Sequence, residues 1–232
     1  MARRARGIFV TGTDTGVGKT VVATALLRAL VLCGARAAGM KPVAAGLLPG
    51  ETVNADVRSI LAAANVAAAP SLVNAYSFAP PIAPHLAARA AGTVIELERI
   101  ERSYAELAAI ADVVVVEGAG GALVPLTSAV RGGDMLDIAR RIDVPVLLVV
   151  GVRLGCINHA LLSALAIGAR GLRFAGWVAN RIDPDMLEGD ANVATLRDHL
   201  PAPLISEFAW ASDGKPSARF DRAQLSLLGL GQ

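Results

Sequence analysis

The stretch Gly12-Thr13-Asp14-Thr15-Gly16-Val17-Gly18-Lys19-Thr20 holds the residue types that grip a polyphosphate. A glycine-rich turn lets successive backbone N–H groups point at phosphate oxygens, and a helix that begins there adds positive potential. Lys19 is placed to reach the β- and γ-phosphates, and Thr20 brings a hydroxyl that can ligate Mg2+. Five residues, Thr13 to Val17, separate Gly12 from Gly18. That is one more than in the general P-loop pattern, and Thr13 stands where a glycine is usual. A Gly-Lys-Thr triplet between a short apolar strand and a long apolar helix still reads as a nucleotide-phosphate loop.

Magnesium takes oxygen ligands, one or two of them carboxylates beside phosphate and water. Glu117 ends the run Val113-Val114-Val115-Val116. A charge closing an apolar strand is costly unless it is solvated or paired, and ligands of open α/β sheets bind at such strand ends. Gly118-Ala119-Gly120-Gly121 follows and lets backbone approach a ligand closely. Taken alone, Asp56 reads equally as a first-turn helix acid, and Asp14 is open in the same way. Lys41 reads either as a solvated strand-end lysine or as a second cation for a transferring phosphoryl group. His85, His159 and His199 are scattered and read as structural or exposed, and Cys156 as a small residue at a helix start.

These groups need elements to carry them. Ile8 to Thr11 reads as a buried strand, Lys19 to Cys33 as a helix stopped by Gly34, and Ala35 to Met40 as a weaker strand. Asn54 to Ala64 reads as a helix with Asn54 as its cap. Four prolines between Pro70 and Pro84 imply mostly loop or extended chain there, and Thr93 to Ile110 has helical spacing. Then come a strand at Val113 to Val116, a helix at Asp134 to Arg141, a strand at Val146 to Val150 and a helix at Cys156 to Ala169. A strand at Phe174 to Asn180, a helix containing Leu196 to Leu200 and a last strand at Pro203 to Ser206 complete the series. Gly46 to Glu51 reads as a surface loop. Strand and helix alternate throughout, which predicts an α/β fold with a mostly parallel central sheet and helices on both faces.

The 232 residues fit one domain, 1–232, and a 54% hydrophobic, 4% aromatic composition predicts a large aliphatic core. No apolar run approaches the ~18 residues of a membrane span. The basic start, Met1 to Arg6, is followed only by Ile8-Phe9-Val10 before polar residues, which is too short for an export signal, so Arg3, Arg4 and Arg6 read as a solvated tail. Two cysteines make neither a disulfide framework nor a metal cluster, which points to the cytoplasm. A net charge of +2 without a basic stripe argues against nucleic acid.

Several motifs in order carry a resemblance: Phe9 to Thr15 with Val17 to Thr20; Lys41-Pro42-Val43; Asn54 with Asp56; Val116 to Gly121; Val150-Gly151-Val152 with Leu154 to His159; and Ala175 to Asn180. Together they resemble the dethiobiotin synthetase family, over most of the chain. The resemblance implies a three-layer P-loop NTPase fold and an ATP- and Mg2+-dependent ligase. It implies that 7,8-diaminononanoate and CO2 become dethiobiotin through a carbamate and a carbamic-phosphoric anhydride, with ADP and phosphate as products. It places Thr20, Asp56 and Glu117 around Mg2+, and makes Lys19 and Lys41 catalytic. Nucleotide contacts would come from Thr15, Gly16, Val17, Gly18, Lys19, Thr20 and Val21, from Glu117, Gly118, Ala119 and Gly120, and from Asn180, Arg181, Phe208, Ala209 and Trp210 beside adenine. Lys41, Ala45 and the turn of Leu154, Gly155, Cys156 and Asn158 would meet the diamine, the turn across a homodimer interface. The chain departs from frequent family residues at Ala45 (a hydroxyl residue), Arg153 (lysine), Ala209 (proline) and Arg181 (an acid).

Two other readings share the fold. Switch ATPases of the partitioning and cell-division type act through protein partners and carry a lysine where Asp14 stands. Amidating cofactor ligases would add a glutamine-handling domain, for which 232 residues leave no room.

Overall fold

Strands and helices alternate along nearly the whole chain in a computed structural model that describes residues 6–48, 50–129, 132–210 and 219–231. Arg3 and Arg4, expected as a solvated tail, lie outside these residues; Arg6, expected with them, instead opens the first strand in register with Val113 and donates to Gly231 O. The first half runs β1 (Arg6–Gly12), α1 (Lys19–Leu32), β2 (Ala37–Met40), β3 (Val43–Ala45), α2 (Ala55–Ala63), α3 (Pro70–Val73), β4 (Tyr76–Phe78), α4 (Pro84–Ala90) and α5 (Leu97–Ile110). The second half runs β5 (Val113–Glu117), α6 (Met135–Ile142), β6 (Val146–Val152), α7 (Cys156–Ala169), β7 (Phe174–Arg181), α8 (Gly189–His199), β8 (Leu204–Phe208) and α9 (Arg222–Leu227).

Six strands form the main sheet in the order β2-β5-β1-β6-β7-β8, and every neighbouring pair is parallel. The strands read as unbroken apolar runs because both faces are covered. β6 shows this residue by residue. Leu148, Val150 and Val152 pack with Trp177 and Ala179 beneath α7 and α8, while Leu147 and Val149 belong to the main core. Alternate side chains of a strand point to opposite faces, so one strand serves two layers. The result is the expected three-layer α/β fold.

The proline-rich stretch departs from the loop expectation. Pro70 and Pro84 sit in the first turns of α3 and α4, where a missing N–H costs nothing. Between those helices β4 pairs in parallel with β3 in a second, two-stranded sheet. The helix expected from Thr93 begins at Leu97, and Asp134 is the cap of α6, its side chain accepting from Leu136 N. The short α9, an element beyond those read from the sequence, is the last helix among the described residues.

The strand order gathers the chemistry. β5 lies between β2 and β1, with Val116 paired to Met40 and Glu117 paired to Val10. Lys41, Glu117 and the turn after β1 therefore emerge side by side at the carboxyl edge of the sheet, where open α/β sheets bind ligands.

Candidate active site

The turn from Thr13 to Gly18 wraps the crest of β1. Gly18 has φ +91° and is the residue just before α1. That left-handed conformation suits glycine, and a Cβ there would lie 2.1 Å from the Asn180 amide nitrogen. Asn180, at the end of β7, is buried and donates to Val17 O at 2.8 Å. It thus supports the turn from beneath. Lys19 is buried and donates to Asp14 O at 2.7 Å across the turn. Burial first, and the nearby Lys41 ammonium second, lower its pKa to about 8. An anionic ligand would restore full charge on this lysine.

Glu117 is the hub. Its Oε1 accepts from the Thr20 hydroxyl at 2.8 Å and from Lys41 Nζ at 2.6 Å. Lys41 also donates to Gly118 O at 3.1 Å and lies 3.1 Å from Asp56 Oδ2. Burial pulls the Lys41 ammonium down, but Glu117 and Asp56 outweigh it, so its pKa ends above the ordinary lysine value. Burial likewise pushes Asp56 up, yet the Lys41 ammonium, the Thr20 hydroxyl and Lys19 hold it below the ordinary carboxylate range. Asp56 and Lys41 are therefore ionised.

Asp56 owes its place to the start of α2. Asn54 Oδ1 accepts from Asp56 N at 2.9 Å, and Asn54 Nδ2 donates to Ala45 O and Gly46 O at 3.3 and 3.2 Å. One buried side chain thus fixes both the helix that carries Asp56 and the end of β3.

These groups line a cleft of about 630 Å³, within the size range of small-molecule sites. Thr15, Gly16, Gly18, Lys19, Thr20 and Val21 form its phosphate-loop side, and Lys41, Asp56 and Glu117 its charged floor. Ala119, Gly120 and Ala45, all singled out in the sequence, line it as well. Its remaining wall, Ala44, Pro81 to Pro84 and Val124, was not singled out as part of the site. The signal available was the pair of prolines flanking Ile82 and Ala83, a stiff apolar segment rather than a flexible loop.

Other sequence candidates lie away from this cleft. Leu154 and Asn158 are exposed, Gly155 (φ +93°) precedes α7 and Cys156 is buried beneath it. Arg181 is held by Glu207 and Asp190. Phe208 pairs in register with Asn180 and meets Phe220 edge to face at 5.6 Å, while Trp210 is half exposed beyond it. The histidines stay out of the cluster, and among the described residues no group of three or more His, Cys, Asp or Glu could hold a metal by itself.

A donor set of Thr20, Asp56 and Glu117 nevertheless suits Mg2+, which combines one or two carboxylates with phosphate and water. Glu117 Oε2 supports the fit: it is buried without a hydrogen-bond partner. A lone pair held dry at the crest of a sheet is expensive unless a cation completes it.

A family model described as an AAA domain matches residues 6–217. The ATP-dependent dethiobiotin synthetase BioD of Xanthomonas oryzae pv. oryzae (strain PXO99A) is 46% identical over 219 residues, 94% of this chain and 96% of that protein. The chain belongs to the dethiobiotin synthetase family. The BioD of Nitrosospira multiformis is 50% identical over 200 residues, 86% of each chain. In solved structures the same fold recurs in more distant proteins. The MinC:MinD cell division complex of Aquifex aeolicus superposes with TM-score 0.55 at 18% identity, covering 90% of this chain and 83% of that one. The septum site-determining protein MinD of Pyrococcus horikoshii, complexed with Mg-ADP, gives TM-score 0.55 at 15% identity over 97% and 94%. These likenesses speak to fold. In the phosphate loop of this chain, Asp14 turns toward Arg153.

Proposed function

We propose that this chain carboxylates 7,8-diaminononanoate with CO2 and closes it to dethiobiotin, using Mg-ATP. Family membership gives the coarser statement, an ATP-dependent ligase of biotin biosynthesis. The observation that carries the finer one is the contact of Lys41, Thr20 and Asp56 with Glu117 or its cation, beside Lys19, in one cleft.

The chemistry asks little of a protein nucleophile. An amine nitrogen of the substrate attacks CO2, forms the N–C bond and loses a proton. A carbamate oxygen then attacks the γ-phosphorus of ATP, and the bond to the bridging oxygen breaks with ADP as leaving group. The second amine attacks the activated carbonyl carbon and loses a proton, and phosphate departs as the cyclic urea closes. Each step develops or moves negative charge, so catalysis rests on positioning and on cations already in place. Lys19 is the cation for the β- and γ-phosphates, released from Asp14 O to reach them. Lys41, kept charged by its carboxylate neighbours, faces the carbamate and the transferring phosphoryl group. Thr20, Asp56 and Glu117 would hold Mg2+, which neutralises phosphate charge when bound. Backbone N–H groups from Thr15 to Val21 serve the phosphates, and Gly118 to Gly120 let the chain pass close to them. The apolar wall of Pro81 to Pro84 and Val124 suits an alkyl chain, with Ala45 at its head.

Adenine is assigned to the rim made by Asn180, Arg181, Phe208, Ala209 and Trp210. A homodimer completes the diamine site through Leu154, Gly155, Cys156 and Asn158 of the partner copy. Support for this comes from α7. Leu154, Leu162 and Leu165 are 90%, 56% and 70% exposed, and the last two share a helical stripe with Asn158. Such a stripe, beginning at the substrate turn, is suited to burial against a second copy. We also propose a cytoplasmic location, which the two free cysteines, Cys33 and Cys156, support. Among the described residues no helix is long and apolar enough to cross a membrane.

Supplying labelled bicarbonate with the diamine and Mg-ATP is expected to place the label in a cyclic urea. Label that stays in bicarbonate while ATP is consumed would favour a switch ATPase instead.

A further inference from the structure

Asp14 is bonded three ways at the middle of the phosphate loop. Its carbonyl accepts from Lys19 Nζ at 2.7 Å, its Oδ1 from Thr15 N at 2.7 Å and its Oδ2 from Arg153 at 2.5 Å. Arg153 belongs to a different part of the fold. It follows β6, and its own carbonyl accepts from Cys156 N, the first residue of α7, at 3.0 Å. A second contact runs beside this one. Gly151, within β6, leaves room for Val17, whose side chain lies 2.8 Å from where a Cβ would stand. The loop that takes the triphosphate and the turn that starts α7 are therefore joined by an ion pair and by packing.

We propose that Arg153 is a positioning residue that couples the phosphate loop to the turn at the start of α7, so that nucleotide binding and diamine binding reinforce each other. The proposal rests on the ligase reading above, which assigns that turn to the diamine site shared across the dimer, so the coupling runs from the nucleotide of one protomer to the diamine held with its partner. The physical reasoning is direct. When a triphosphate draws Lys19 away from Asp14 O, the middle of the loop loses one of its restraints. Arg153 then holds Asp14 from the other side, and any shift of the loop is passed to the backbone that begins α7. Coupling of this kind is reciprocal: whatever nucleotide does to diamine affinity, diamine does to nucleotide affinity. Arginine suits the task because its planar fork holds a carboxylate in a defined direction, which lysine does less well. Both side chains are close to half exposed, 41% and 45%, so the pair adds little to global stability. A loss of coupling is thereby separable from unfolding.

The test measures diamine affinity by calorimetry with and without a non-hydrolysable ATP analogue and Mg2+, in wild type, R153Q, R153K, D14N and the R153Q/D14N double variant. Wild type is expected to bind diamine about five-fold or more tightly with the analogue present, and R153Q less than about two-fold. R153K should fall between them, D14N should match R153Q, and the double variant should add nothing further. Melting midpoints should agree across the set. A wild-type ratio retained in R153Q, even with weaker nucleotide binding, would overturn the proposal, since the pair would then merely shape the loop. Independent, additive losses in R153Q and D14N, or a wild type with turnover but no linkage, would overturn it as well. A wild type that binds no diamine at all would instead remove the ligase reading, and the coupling with it.

Discussion

Glu117 binds two partners through one oxygen and leaves the other dry. The sequence marks it plainly, as an acid closing a run of four valines. Its use of Oε1 for both Thr20 and Lys41 was not legible, because those contacts join residues 97 and 76 positions apart. Lys41 shows the same limit: alone it reads as a strand-end lysine, and only its carboxylate neighbours let it stay charged while buried. Replacing Glu117 by Gln keeps size and removes charge. We expect E117Q to need about ten-fold or more Mg2+ for half-maximal turnover, as one lost charge-assisted contact implies. A metal titration identical to wild type would take Glu117 out of the metal site.

At the scale of elements, α2 acts as a bracket. Asn54 was readable as its cap, but its second bond set, to Ala45 and Gly46, ties β3 to the same point. Asn54→Ala should cost about 1 kcal/mol by loss of the cap, seen as a lower melting midpoint. It should also raise the half-saturating diamine concentration, because Asp56 and the β3 end both loosen. A melting shift with unaltered diamine dependence would confine Asn54 to capping. The strands were the most legible elements, since burial on both faces forces apolar runs such as Val113 to Val116. The chain from Pro70 to Pro84 was the least legible. Proline marks a helix start as readily as a loop, and the three-residue β4 is too short to show a period.

For the whole molecule, the strand order decides where chemistry can occur. A sequence lists β1, β2 and β5 far apart, and only the order β2-β5-β1 sets Lys41, Glu117 and Lys19 on one crest. The alternation of strand and helix predicted that such a crest exists, not which residues share it. The exposed stripe on α7 belongs to this scale too. Leu165→Asp is expected to halve the solution mass measured by light scattering and to raise the diamine requirement more than that for ATP. A variant of unchanged mass would show that the stripe is not the interface. The central claim is that the cleft spends ATP on a diamine. Its most direct test is ADP release from the purified protein with Mg-ATP and bicarbonate, followed with and without 7,8-diaminononanoate. The account predicts release that depends on the diamine, one ADP per ring closed; ADP formed at the same rate without diamine would contradict it.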